Sequence, residues 1–116
     1  MAKSNYSLSE FAVQASEAAA LMKLLSNEAR LLVLCHLSEA YELSAGELTR
    51  RVGLSQSALS QHLSRLRDDG LVTTRKEAQT VFYRVTDPKV HRLLTLLHEL
   101  YCPELRTAAD ERRPRK

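Results

Sequence analysis

Two thiols, Cys35 and Cys102, and four imidazoles, His36, His62, His91 and His98, are the reactive side chains of this sequence. Thiols exchange with disulfides and persulfides, and two of them can close a bridge once their Cα atoms lie within about 7 Å. By residue type alone, the favoured reading is Cys35 as a small buried hydrophobe and Cys102 as an incidental surface thiol. His91 and His98 share one flank of an apolar, helix-patterned segment, but their spacing along a helix is about 10 Å, too far to chelate one ion. A metal would have to be shared between two subunits. Nucleophilic catalysis finds no constellation either. Cys35 and His36 diverge by about 100° around a helix, and His98 and Cys102, at i,i+4, lack an orienting third group. No enzyme, resident cofactor or metal is therefore expected.

A second set of residues offers recognition. Gln56, Ser57, Ser60, Gln61 and Arg65 fall close together on a segment of helical pattern, with Ser44 and Ser55 at the two preceding helix starts. Amides suit adenine, guanidinium suits guanine and hydroxyls suit either, so the five on that segment are candidate contacts to base edges, with Ser44 and Ser55 as further DNA-binding candidates. Arg75, Lys76 and Arg84 suit phosphates, which set affinity without reading sequence. His62 falls about 60° from Leu59 on the apolar side and is expected to be a hydrogen-bonded structural residue.

The charge distribution supports a nucleic-acid partner more than the total does. The net charge is only +3, yet residues 1–49 carry net −3, residues 50–92 net +5 and residues 93–116 net +1. The central excess, which includes Arg50, Arg51, Arg65, Arg67, Lys89 and Arg92, can form a patch that neutralises phosphates and releases their counterions. An ordinary solvated surface would also accommodate it.

The elements that carry these residues are mostly helical. The chain has 116 residues, 44% of them apolar and 27% charged, with 3 Gly and 3 Pro, which fits one mainly helical domain. Ser7 and Glu10 have capping-box spacing and open a helix over 8–25, with Phe11, Ala15, Ala18, Met22 and Leu25 on one face. Asn27 caps a second helix over 28–39, apolar around nearly its whole circumference and therefore expected in the core. Ser44 and Glu47 open a third over 45–52, ended by Gly53. Ser55 caps a fourth over 56–69, ended by Gly70, with Leu59, Leu63 and Leu66 opposite Ser57, Gln61, Ser64 and Asp68. Residues 71–75 and 80–85 alternate as a hairpin around a polar stretch, Lys76 to Gln79. Asp87-Pro88 starts a fifth helix over 88–101, whose apolar stripe includes Val90, Leu93, Leu94, Leu97 and Tyr101, widened by Leu96 and Leu100. That arc spans roughly 160°, wider than one small core covers, so a partner chain is expected on it.

Two helices joined by a short Gly-containing turn, followed by a hairpin and a last helix, make a winged helix-turn-helix. The runs Ser44-Ala45-Gly46-Glu47-Leu48, Leu54-Ser55-Gln56-Ser57-Ala58-Leu59-Ser60-Gln61-His62-Leu63 and Leu66-Arg67-Asp68-Asp69-Gly70-Leu71-Val72 resemble the ArsR/SmtB family of bacterial dimeric repressors. The resemblance covers about residues 10–103. It implies a homodimer through the first and fifth helices, the fourth helix in the major groove of operator DNA, and the hairpin against backbone or minor groove. It also bears on the signal. Where some members carry a Cys-x-Cys metal pair, this chain has Ser44 and Gly46; where others carry an Asp and His pair, it has Asp87 but Lys89. The segment around Cys35, the hairpin over 72–83 and the Leu100-Tyr101-Cys102-Pro103 ending are similar to the HlyU, BigR and YgaV branch. That likeness implies sensing of reactive sulfur species or oxidants through a Cys35 to Cys102 disulfide or polysulfide link. A metal-responsive repressor using the fifth-helix histidines, or a constitutive DNA binder, are the alternatives.

The expected organisation is a flexible stretch over 1–7, the DNA-binding and dimerisation domain over 8–103, and a basic, disordered tail over 104–116. Met1 to Glu10 lacks a basic-then-apolar leader pattern, and no apolar run approaches bilayer length, so a cytoplasmic location is expected.

Overall fold

Every helix begins on the side chain that the sequence supplies for it. In the computed structural model, which describes residues 7–102, Ser7 and Glu10 form a reciprocal capping box ahead of α1 (Leu8–Leu25). Asn27 accepts from the Arg30 amide to start α2 (Glu28–Ala40). Ser44 and Glu47 form a second capping box on α3 (Ala45–Val52), and Ser55 caps α4 (Gln56–Asp68). Asp87 accepts from the Lys89 amide at α5 (Pro88–Tyr101), which has Pro88 in its first turn. Each such cap satisfies backbone donors that a helix leaves unpaired, typically worth about 1 kcal/mol. Gly53 (φ 73°) and Gly70 (φ 78°) adopt left-handed conformations at the ends of α3 and α4, where a side chain would be strained.

The expected winged helix-turn-helix is present, with one addition. A two-residue strand, β1 (Leu43–Ser44), joins the hairpin strands β2 (Val72–Glu77) and β3 (Thr80–Val85) in an antiparallel sheet of order β1-β3-β2. The hairpin is tighter than its sequence suggests. Lys76 and Glu77 pair with Val81 and Thr80 as strand residues, which leaves Ala78 and Gln79 as the turn, with Ala78 at φ 56°. The helix ends differ from expectation by one residue at Ala40 and at Asp68.

The core is aliphatic. Val33, Leu34 and Leu37 of α2, Leu48 of α3, Leu59, Leu63 and Leu66 of α4, and Val90 and Leu94 of α5 are all buried in one cluster. The second helix is not buried all round, because Leu32 is 41% exposed. The larger departure is α1. Of its predicted apolar face only Leu25 is buried, whereas Phe11 and Met22 are 55% and 61% exposed. The Arg30 guanidinium donates to the Leu24 carbonyl at 3.0 Å and ties the end of α1 to α2. The stretches expected to be flexible over 1–7 and disordered over 104–116 lie outside the described residues, apart from the cap Ser7. Among the described residues no helix is long and apolar enough to cross a membrane.

Candidate nucleic-acid interface and cysteine pair

α4 has two unlike faces. Leu59, Leu63 and Leu66 anchor it in the core, while Gln56, Ser57, Ser60, Gln61, Ser64 and Arg65 are exposed. Five of the predicted base-edge contacts therefore sit together on one outward-facing rod, held by its leucines against α3. Ser44 and Ser55 have a local duty as well, since their hydroxyls accept from the Glu47 and Ala58 amides. Arg65 donates to Asp69 at 3.2 Å along the helix, an exposed i,i+4 pair of the kind that is weak and readily exchanged for another acceptor.

The three residues assigned to phosphates part company. Lys76 is exposed on the wing and has no ion pair among the described residues. Arg75 is held by Glu42 and Glu77, and Arg84 donates to the Tyr41 hydroxyl at 2.6 Å. One basic residue was legible only as part of the general patch. Arg67 lines a cleft of about 460 Å³ between α4 and the wing, together with Ser60, Leu63, Ser64, Asp68 and Tyr83. Its placement depends on how the wing folds back on α4, which no local pattern encodes. His62 is half-buried as expected, but no hydrogen bond to it is found among the described residues.

The thiols lie on the opposite elements of the same domain. Cys35 is on α2 and Cys102 is the residue that ends α5, its amide donating to the His98 carbonyl at 2.9 Å. Both are free and half-buried. Burial pushes the Cys35 thiol above the ordinary value, and the neighbouring Cys102 pushes it further in the same direction. Three residues beyond Cys35, Ser38 shares a hydrogen bond of 2.8 Å with Nδ1 of His91, so α2 and α5 are also joined at a second point. His36 is pushed down, chiefly by burial and next by Arg51, against a weaker opposing effect of Glu39. Among the described residues no three His, Cys, Asp or Glu side chains converge as a metal site.

The helix-turn-helix region, residues 27–74, matches the model of the bacterial regulatory proteins of the arsR family. The chain is also 55% identical over 95 residues to the transcriptional activator HlyU of Vibrio cholerae, covering 82% of this chain and 87% of that protein. The chain belongs to the ArsR family. An ArsR-family relative in Escherichia coli, the HTH-type transcriptional regulator YgaV, is 46% identical over 96 residues, 83% of this chain and 97% of its own. The solved structure described as reduced HlyU from Vibrio cholerae superposes with a TM-score of 0.77 at 55% identity, over 82% of this chain and 99% of that one. Membership of this family makes the chain a DNA-binding transcriptional regulator, and gives α3 and α4 the roles of the helix-turn-helix and the hairpin that of the wing.

The two causes acting on Cys35 can be separated by experiment. Replacing Cys102 with Ser removes the charge and leaves the burial. The midpoint for Cys35 alkylation then moves down from its wild-type position but stays above that of an ordinary thiol, because desolvation disfavours the thiolate. The pH dependence of iodoacetamide labelling, followed by intact mass, checks both the direction of the shift and its residue.

Proposed function

We propose that this chain is a dimeric operator-binding repressor whose DNA affinity is switched by a sulfur link between Cys35 and Cys102. The observation that carries the reading is the placement of the only two cysteines: one on α2 and one at the end of α5, two helices packed on each other in a winged helix-turn-helix scaffold, with Cys102 acting on the Cys35 thiol. The description of the related HlyU structure as reduced is consistent with a regulator that has a redox partner state. The site acts in the cytoplasm, where a stable disulfide is not maintained but a transient one reports redox state.

In the reduced state α4 of each protomer enters one major groove. Gln56, Ser57, Ser60, Gln61 and Arg65 read base edges, with Ser44 and Ser55 at the helix starts beside the backbone, and Lys76 and Arg67 meet phosphates. A single α4 reads half a site, and two-fold symmetry pairs the halves. The second protomer docks on the exposed apolar residues of α1 and α5, among them Met22, Leu96 and Leu100, which the described residues of their own chain leave exposed.

The inducer is a low-molecular-weight persulfide. The Cys102 thiolate attacks its outer sulfur and releases a thiol, which leaves Cys102 carrying an extra sulfur. Cys35, whose ionisation burial disfavours, then attacks the inner sulfur of that group as its thiolate and expels hydrogen sulfide. The two thiols and one persulfide are converted to one disulfide, one thiol and one hydrogen sulfide. Closing the link draws the end of α5 toward α2 and changes the separation of the two α4 helices.

A tenfold loss of affinity requires the link to disfavour the DNA-bound geometry by about 1.4 kcal/mol, within the ordinary range of coupling between sites. A duplex selected from a random pool by the reduced protein is titrated before and after persulfide treatment. Wild type is expected to lose at least about tenfold, while Cys35→Ser and Cys102→Ser stay at the reduced wild-type affinity. Equal affinities throughout would remove the sensor and leave the DNA binding standing.

A further inference from the structure

Three strands, two arginines and one bend meet at the base of the wing. Arg75 of β2, Phe82 of β3 and Ser44 of β1 lie in one row across the sheet. The Arg75 side chain crosses over the middle strand, its guanidinium 4.6 Å from the centre of the Phe82 ring. On the far side it meets Glu42 through two parallel bonds, Nε to Oε2 and Nη2 to Oε1, both 2.9 Å. Its remaining nitrogen, Nη1, donates to Glu77 at 2.8 Å. Bidentate pairing of this kind fixes orientation as well as distance. The hydrogen bond from Arg75 also holds the Glu42 carboxyl below its usual range.

The second arginine reaches the adjacent residue. Arg84 of β3 donates to the Tyr41 hydroxyl at 2.6 Å, and its guanidinium lies 5.7 Å from the centre of that ring. Tyr41 follows directly on α2 and has φ 74° and ψ −49°, a backbone conformation that costs energy in a residue with a side chain. Such a conformation persists where its surroundings hold it. Here the surroundings are the wing.

We infer that Arg75 and Arg84 are positioning residues, which fasten the wing to the Tyr41–Glu42 bend at the end of α2, rather than contacts to DNA phosphates. A phosphate approaching Arg75 would meet one cation flanked by two carboxylates, with both Glu42 oxygens already committed. Because α2 carries Cys35 and runs into this bend, the same joint lets a movement of α2 reach the wing. The inference rests on the DNA-binding role of the family and not on the sulfur switch.

The sign of one substitution separates the two roles. Removing an acid from a DNA-binding face tightens binding if charge alone matters. Glu42→Gln is expected instead to weaken binding of the selected duplex by about threefold to tenfold, because it releases Arg75 and with it the wing. Arg75→Gln should weaken it by a similar factor, and the double variant no further. The salt dependence gives an independent reading: a lost phosphate contact lowers the slope of log affinity against log salt by about 0.9, so Glu42→Gln and Arg75→Gln, which both release the wing, should share one slope, whereas a phosphate contact of Arg75 itself would put Arg75→Gln about 0.9 below Glu42→Gln. Tyr41→Phe, which removes only the acceptor of Arg84, is the milder companion variant and should weaken binding less than Arg75→Gln does. Thermal melting of each full-length variant shows that it is folded. Glu42→Gln binding as tightly as wild type or tighter, or Arg75→Gln giving a slope about one unit below that of Glu42→Gln, overturns the inference. Failure of wild type to bind any duplex would instead refute the DNA-binding role beneath it.

Discussion

Aspartate in place of Met22 and Leu100 together should convert the protein from a dimer to a monomer and lower its affinity for a two-fold operator by more than about a hundredfold. Both side chains are more than 60% exposed within their own chain, Met22 on α1 and Leu100 on α5, so the changes leave the core of the protomer intact. In a dimer with two-fold symmetry each substitution appears twice, and buried carboxylates without partners oppose association strongly. The loss at the DNA is larger than the loss of one contact, because the second half-site is bound from a high effective concentration only while the protomers are joined. Light scattering should report half the wild-type mass, and anisotropy on a single half-site should be unchanged. A variant that remains a dimer would place the interface elsewhere on the molecule.

The second large effect is on stability, and α4 supplies it. Leu63→Ala should destabilise the fold by about 2–5 kcal/mol in urea unfolding, since the side chain is 2% exposed and truncation leaves a cavity beside α4. Three positions earlier, Ser60→Ala on the exposed face should shift stability by less than about 0.5 kcal/mol. Its effect should appear in discrimination between operator and non-operator duplex. The contrast between neighbouring residues tests whether the helix is divided into an anchoring face and a reading face. Equal and small destabilisation at both positions would contradict the packing described for α4.

The helices were legible because their signals are local. Ser7, Asn27, Ser44, Ser55 and Asp87 cap the helices they precede in the sequence, and Gly53 and Gly70 end two of them. What escaped is long-range. A strand of two residues, Leu43–Ser44, has no pattern of its own and exists because β3 pairs with it. The turn at Ala78 and Gln79 is set by the register of β2 on β3, which draws Lys76 and Glu77 into the ladder. The apolar spacing of α1 marks one face of the helix, but periodicity does not say where in the fold that face lies, and most of it is exposed. The candidate site divides in the same way. The exposed residues of α4 follow from helical spacing, whereas the partners of Arg75 and Arg84 come from Glu42 and Tyr41, more than 30 residues earlier. The cysteines stood out by type, and only the packing of α2 with α5 lets Cys102 act on the Cys35 thiol.

The central claim joins two events, formation of a Cys35 to Cys102 link and release of DNA. The most direct test follows both in one persulfide titration of the wild-type protein, with intact mass spectrometry counting linked chains and fluorescence anisotropy measuring operator affinity on the same samples. The fraction of operator released should rise in step with the fraction of chains carrying one internal link, and reduction should reverse both. Complete linkage with full retention of operator affinity, or release of the operator from unlinked chains, would contradict it.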